Sequence, residues 1–353
     1  MKLKKILKIA YISVFFLFLS VVGICSFVIK EDTSGKEKPV ELEYTGYKDW
    51  SKGFDTYFSS NFAFRKSFIQ MDSMLKYNLF NYTGEREVIA GKDDWLFYEQ
   101  ALKDYDGSEI LSDAEIEEIA DAIERLSEEV KKQGGDMVFV VAPNKMEVYG
   151  EYMPYYLKES PKDGNYEKLM KALSQKDVKY VDLKNVLKSD STYGDIKLYH
   201  KWDSHWNNLG AAVAYREIMK TTELQFTDYS DIPFVSRTDF NGDLYSMHFP
   251  KGDKKDVNYY FDVEYNYDFT SNFKSVDDLI ITTENQSGVG KVILYRDSFG
   301  NALYEFFAND FSEAYISRAL PYDVSDIEGA DLVVVEIVER NIPRLKDAYR
   351  ADA

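Results

Sequence analysis

The N-terminus sets the hardest constraint on this chain. Ile9 to Ile29 is a run of 21 residues without a charge, preceded by Lys2, Lys4, Lys5 and Lys8 and closed by Lys30, Glu31 and Asp32. At about 1.5 Å of rise per residue, such a run spans roughly 30 Å as a helix, the thickness of a bilayer core. The lysines before it and the acidic residues after it put residues 1–8 in the cytoplasm and everything beyond residue 30 outside. Residues 1–8 then read as a basic cytoplasmic segment and 9–29 as a single-pass signal anchor in the cell membrane. A cleaved signal peptide is the competing reading, but its apolar stretch is normally shorter and ends in a small-x-small site. A lipoprotein signal fits less well, because Ile24 precedes Cys25.

Everything after the anchor must fold without disulfides, since Cys25 is the only cysteine and lies inside the apolar run. The same count excludes a thiolate metal site. A formal charge of -18 leaves no basic surplus to neutralise phosphates, which argues against a nucleic-acid partner. With 45% hydrophobic residues over 353 positions, there is enough apolar material for a substantial core.

Residues 30–53 are polar without a period and read as a linker, 54–341 as the folded domain and 342–353 as a tail. The Phe-, Tyr- and Met-rich stretch 54–80, with Arg65 in its middle, fits one or two amphipathic helices packed on the domain. GKDDWLFY (91–98) reads as a turn entering a short strand that opens the main sheet. Ser112 and Glu115 make a capping box, and Ile116, Ile119, Ile123, Leu126 and Val130 recur at helical spacing before Gly134 and Gly135 stop the helix. Strands are expected at 137–142, 178–183, 291–295, 314–317 and 332–338, and helices over 165–175 and from Gly300. Short apolar strands alternating with helices predict an α/β fold, a mostly parallel sheet flanked by helices. Residues 222–290 interrupt that alternation with Tyr- and Asn-rich sequence, an inserted segment of antiparallel strands and loops. Ligands of such sheets bind at the carboxyl ends of the strands.

Two motifs carry reactive groups. In KWDSHW (201–206), Asp203 and His205 are two apart, so in an extended segment a carboxylate can reach one imidazole nitrogen while the other faces a nucleophile. Asn207, Asn208 and the residues to Tyr215 look like a capped helix behind them. In YRDSFGNAL (295–303), Ser298 follows an apolar strand and precedes a helix, where free N–H groups favour a developing oxyanion. Each motif alone also has a structural reading, His205 packing beside Trp206, and Ser298 or Asp297 capping the helix. A serine needs a base to become a nucleophile, and of the three histidines only His205 has an acid at this spacing. His200 is the alternative base, whereas His248 would contact substrate or pack. His200, Asp203 and His205 could also chelate a metal, but their spacing matches no zinc pattern.

In order along the chain, GKDDWLFY, VAPNKMEVYGEYMP ending at Pro154, WDSHWNNLGA (202–211), NGDLYSM (241–247), RDSFGNAL (296–303) and VVVEIVERN ending at Asn341 resemble one family. It is the SGNH-like domain of the alginate O-acetyltransferases of the AlgJ/AlgX type and the related bacterial DHHW proteins, over residues 54–341. The resemblance implies an SGNH-hydrolase-like fold with Ser298 as nucleophile, His205 as general base and Asp203 as the group that orients His205. It further implies no cofactor, a membrane-bound O-acyltransferase as acyl donor, and a polysaccharide acceptor. Trp202 and Ser204 depart from the threonines common around the aspartate, and Arg296-Asp297 stands where a glycine often precedes the serine. For the oxyanion hole, the Ser298 N–H with Asn144 or Asn301 is the expected set. Arg296 and Arg340 are either structural or bind an acidic sugar. The function expected is acetyl transfer through an acyl-serine onto an exported or cell-wall polysaccharide. A carbohydrate esterase with the same triad is the alternative within enzymes, and a non-catalytic polysaccharide-binding or assembly protein the alternative outside them.

Overall fold

The computed structural model describes residues 2–28, 50–80, 82–83, 87–160, 163–319 and 327–345. Residue 29 of the expected anchor, 30–49 of the expected linker (30–53) and 346–353 of the expected tail lie outside the described residues. The chain divides into two compact units, Met1–Phe80 with Phe249–Gly252, and Asn81–His248 with Asp253–Ala353.

The first unit opens with helix α1 (Lys2–Val28), in which Lys4–Ser26 has a mean hydropathy of 2.3 and the length to cross a membrane. By length and composition it is a candidate anchor or signal. Helices α2 (Trp50–Asn61) and α3 (Arg65–Phe80) follow, joined through Phe64 at a φ of 67°. Phe54, Phe58 and Phe62 recur at i, i+4, which puts them on one helix face, and their rings stack at 6.0 and 6.1 Å. Two helices are thus present over this stretch, the first starting at Trp50, and they fall in the same compact unit as α1.

In the second unit, β1 (Val88–Ala90) and β2 (Leu96–Tyr98) pair antiparallel as a separate ribbon. The strand expected to open the main sheet is therefore not part of it. The local cause is the turn between them: a Cβ on Gly91 would lie 2.5 Å from the Tyr152 carbonyl oxygen, and Asp93 and Asp94 take φ of 52° and 61°. That turn folds β2 straight back onto β1.

Helix α4 (Leu102–Tyr105) leads to α5 (Asp113–Lys132), β3 (Asp136–Ala142), α6 (Lys145–Val148), α7 (Asn165–Leu173) and β4 (Lys179–Val181). The capping box is present in full: Ser112 Oγ accepts from the Glu115 N–H, and Glu115 accepts from the Ser112 N–H. Helices α8 (Leu183–Ser189) and α9 (Asn208–Lys220), β5 (Phe234–Phe240), α10 (Asp243–His248), β6 (Asp256–Phe261), β7 (Asp268–Phe269) and β8 (Ile280–Glu284) continue the chain. It ends with β9 (Lys291–Tyr295), α11 (Tyr304–Asp310), β10 (Glu313–Ser317) and β11 (Leu332–Val338).

Among the described residues the main sheet has seven strands, in the order β4-β3-β11-β9-β10-β8-β7. From β4 to β10 every pairing is parallel, and β8 and β7 add on antiparallel. The mostly parallel sheet expected from the alternation is what the chain builds. The inserted segment is mixed: among the described residues β5 and β6 pair only with each other, whereas β7 and β8 extend the main sheet at its edge. Alternate residues of the central strands go to opposite faces. Phe139, Val141, Ile293, Val333 and Val335 pack under α5 and α7; Val138, Val140, Val292, Leu294 and Val334 pack with α9 residues such as Leu209 and Val213. Two apolar layers thus clamp the sheet; the serine motif leaves it at the end of β9, and the Asp-x-His motif lies in the loop between α8 and α9.

Candidate active site

The segment 198–207 is a closed loop at the entrance of α9, where the capped helix after the Asp-x-His motif puts it. Its ends are held by Asn207 N–H to Leu198 O at 2.9 Å and His200 N–H to His205 O at 3.2 Å, with Tyr199 bridged to Trp206. Inside the loop Asp203 makes an Asx turn, its Oδ1 accepting the His205 N–H at 2.9 Å. The same Oδ1 lies 2.7 Å from His205 Nδ1. Carboxylate and imidazole therefore meet because the backbone bends, which spacing in a strand would not require. Behind the loop Asn207 caps α9 as expected, its Oδ1 accepting from the Leu209 and Gly210 N–H groups.

An ionised carboxylate only accepts, so the proton sits on Nδ1 and the Nε2 lone pair points outward. Nε2 lies 2.8 Å from Ser298 Oγ. The row Asp203–His205–Ser298 thus closes across 93 residues of sequence between base and hydroxyl.

Buried Lys145 holds the loop from below. Its Nζ donates to the carbonyls of Leu96 (2.7 Å), Lys201 (2.9 Å) and Asp203 (2.9 Å), which uses all three ammonium hydrogens. Burial pulls the Lys145 pKa down to about 7 against the opposing pull of Asp203. For His205, burial alone would lower the pKa, but the Asp203 carboxylate and its hydrogen bond outweigh burial and leave it raised. Asp203 is buried too, yet His205, its hydrogen bond and the Asp243 N–H hold its carboxyl below the usual range.

Ser298 leaves the sheet after β9. The chain enters a 3-10 turn, Phe299–Ala302, so the expected helix from Gly300 becomes α-helical only at Tyr304. Capping does not fall to Ser298, whose side chain makes no cap bond; Asp297 Oδ1 accepts the Phe299 N–H at 2.9 Å instead. Asp297 Oδ2 takes the Val338 N–H at 2.8 Å, and Glu336 Oε2 takes the N–H groups of Asp297 (3.2 Å) and Gly300 (3.0 Å). Among the described residues the Ser298 N–H has no hydrogen-bond partner.

Arg296, where a glycine often stands in the family, is accommodated by turning inward. It is 2% exposed, and its guanidinium donates to the carbonyls of Val276 and Asp297 and to Asn301 Oδ1. A Cβ on Gly300 would lie 2.5 Å from the Arg296 Cβ, so the glycine that this close approach needs is at 300.

The expected side-chain donors are engaged elsewhere. Asn144 is buried and gives its amide to Asp104 at 3.1 Å; Asn301 gives its amide to Asp277 at 3.2 Å. His200 lies outside the row: it is buried, its Nδ1 donates to the Val257 carbonyl at 3.0 Å, and its ring stacks on Phe240 at 3.9 Å. Arg340 lies over the rings of Tyr98 (5.2 Å) and Phe299 (5.6 Å), and Phe299 is itself 4.7 Å from the His205 ring. Trp206 is buried against Phe299 and donates to its carbonyl at 3.0 Å.

Sequence reading missed Lys145, Asp243 and Glu336. Glu336 left a signal, a single acid inside the apolar strand VVVEIV. Asp243 and Lys145 left none beyond their places in quoted motifs. Asp203, His205 and Asp243 offer ligand atoms within 4.8 Å of one another, a donor set close enough for a cation. In this structure His205 Nδ1 meets Asp203 Oδ1, the Ser204 Oγ–H donates to Asp243 Oδ2, and the Asp243 N–H donates to Asp203 Oδ2.

Residues 88–259 match the family model for the SGNH hydrolase-like domain of the acetyltransferase AlgX. The probable alginate O-acetylase AlgJ of Pseudomonas putida is 25% identical over 175 residues, 50% of this chain and 44% of that protein. The chain thus spans about half the length of the curated relatives it matches. A DHHW family protein from Eubacterium siraeum shares the fold at a TM-score of 0.53 and 16% identity, over 74% of this chain and 97% of that one. The O-acetyltransferase domain of Pseudomonas putida AlgJ does so at 0.50 and 18%, over 72% and 92%. By the domain match over residues 88–259, the relatives and the shared fold, this part of the chain is similar to the AlgJ/AlgX-like SGNH family.

Proposed function

We propose that this chain is a serine-dependent O-acetyltransferase that works outside the cell membrane, anchored through residues 9–29, and acetylates hydroxyls of an exported or cell-wall polysaccharide. The observation that carries the reading is the unbroken row from Asp203 Oδ1 through His205 to Ser298 Oγ, with contacts of 2.7 and 2.8 Å. His205 Nε2 takes the Ser298 proton as Oγ attacks the acetyl carbonyl, and the Ser298 N–H faces the oxyanion that forms. Collapse of the adduct returns that proton to the leaving group and leaves acetyl-Ser298. A sugar hydroxyl then gives its proton to His205 and attacks, and Ser298 regains a proton from His205 as the sugar ester departs. Cytosolic acetyl-CoA cannot reach this site, so a membrane-bound O-acyltransferase supplies the acetyl group.

The names of the AlgJ relatives and the fold of the neighbours support acetyl transfer. The test uses the full chain in detergent with 4-nitrophenyl acetate, with and without neutral, amino and uronic acid oligosaccharides. Acetylated oligosaccharide is the expected product, and Ser298→Ala should lower its rate by about a thousandfold or more. Free acetate alone would make the protein an esterase, and undiminished transfer by Ser298→Ala would remove the serine from the mechanism.

A further inference from the structure

The first residue of α10 stands closer to the imidazole than its sequence position suggests. Gly242 lets the chain pass against the loop, since a Cβ there would lie 2.4 Å from the Trp202 carbonyl oxygen. Four hydrogen bonds then join the two segments. Tyr245 N–H donates to Trp202 O at 3.0 Å, and Asp243 N–H donates to Asp203 Oδ2 at 2.7 Å. In return the Ser204 N–H and Oγ–H donate to Asp243 Oδ1 and Oδ2 at 2.8 and 2.6 Å. Asp243 Oδ2 ends 3.7 Å from His205 Nδ1, and Ser204 Oγ 3.3 Å from the same nitrogen.

We propose that Asp243 is a positioning residue for the reaction proposed above: its N–H fixes the free oxygen of Asp203, and its carboxylate adds a second negative charge against the imidazolium that forms when Ser298 loses its proton. The inference rests on that reading of the site, but the contacts it uses are separate from the Asp203–His205 hydrogen bond. Around His205 the charged and titratable groups are Asp203 and Asp243 on one side and Arg340 on the other, with Arg340 opposing protonation. Lys145 faces Asp203, Asp256 and Asp243, His200 faces Asp203 and Asp256, and Tyr98 feels Asp243. Burial and the neighbouring Asp203 raise the Asp243 carboxyl to about 6, while its side chain keeps 38% exposure. Two acids of unlike depth therefore share one imidazole, and the shallower one can trade its proton with solvent.

Asp243→Asn keeps the backbone N–H and an oxygen to accept from Ser204, and it removes the charge. With full chain in detergent and 4-nitrophenyl acetate, kcat should fall about tenfold with little change in KM, since one pKa unit corresponds to a tenfold change in an equilibrium. His205 must be neutral to act as base, so wild-type activity is lost as pH falls through its raised pKa. That acid limb should move to lower pH by about one unit in Asp243→Asn. The His205 imidazole, followed by NMR in a chain with three histidines, should titrate lower by the same amount. Asp243→Glu, which restores the charge, should bring the titration back toward wild type. An unmoved His205 titration in Asp243→Asn, whatever happens to kcat or Tm, would reduce Asp243 to a brace for the loop. Because the titration is read on the resting protein, it stands apart from the Ser298→Ala transfer assay, and either result can fail without the other.

Discussion

The two halves of the site are held by opposite means. On the base side, the loop 198–207 is organised by charge: buried Lys145 donates to three carbonyls, and Asp203 is kept ionised between His205 and the Asp243 N–H. On the nucleophile side, the turn after β9 is held by side-chain acceptors, Asp297 Oδ1 for the Phe299 N–H and the buried Glu336 for two more. Burial, then Asp297, push the Glu336 carboxyl well above its usual range, and its Oε2 accepts two turn N–H groups. A base must gain and lose a proton in each cycle, so its surroundings are charged. The turn that presents the serine must only keep its shape, and Glu336 and Asp297 do that by accepting its N–H groups.

Isosteric amide substitutions separate the two modes. The largest effect belongs to Asp203→Asn, which puts an N–H₂ group or an uncharged oxygen beside Nδ1 and releases the tautomer that aims Nε2 at Ser298. About a 10⁴-fold loss of kcat is expected, measured with 4-nitrophenyl acetate, by analogy with the corresponding change in a serine protease triad. A loss below about tenfold would mean that charge on this side does not matter. Next comes Glu336→Ala, which leaves the Asp297 and Gly300 N–H groups without acceptors in a buried place; each such group costs about 1–3 kcal/mol, and Tm should fall accordingly. Smallest is Glu336→Gln: burial holds the Glu336 carboxyl well above its usual range, so an uncharged amide that still accepts is a close replacement, and Tm and kcat should stay near wild type between pH 6 and 8. A collapse of Glu336→Gln comparable to Glu336→Ala would show that the nucleophile side also depends on an ionised group.

The same contrast explains what the sequence could disclose. Helix α5 was legible because its apolar residues repeat at 3.6 and its capping box is local, and β3 and β11 because runs such as MVFVVA have few other places to go than a doubly covered sheet. Asp203, His205 and Ser298 were legible as motifs because a serine nucleophile requires a base and the base an acid. The supports were not. Lys145 reaches Asp203 across 58 residues and Asp243 reaches it across 40, and no periodicity encodes a bond between a side chain and a remote peptide group. GKDDWLFY misled for a related reason: its strand is short and apolar enough for the main sheet, but the close approach of Gly91 to Tyr152 folds it onto β1. Asn144 and Asn301 were chosen as donors by residue type, and Asp104 and Asp277 had already claimed their amides.

The central claim is that the hydroxyl 2.8 Å from His205 Nε2 becomes the acyl carrier. Brief exposure of the full chain to 4-nitrophenyl acetate, acid quench and peptide mapping by mass spectrometry test it directly. The account predicts one acetyl group, on the peptide containing Ser298, lost in Ser298→Ala and strongly reduced in His205→Ala. Acetylation centred on another residue, or equal labelling of Ser298 in His205→Ala, would contradict it.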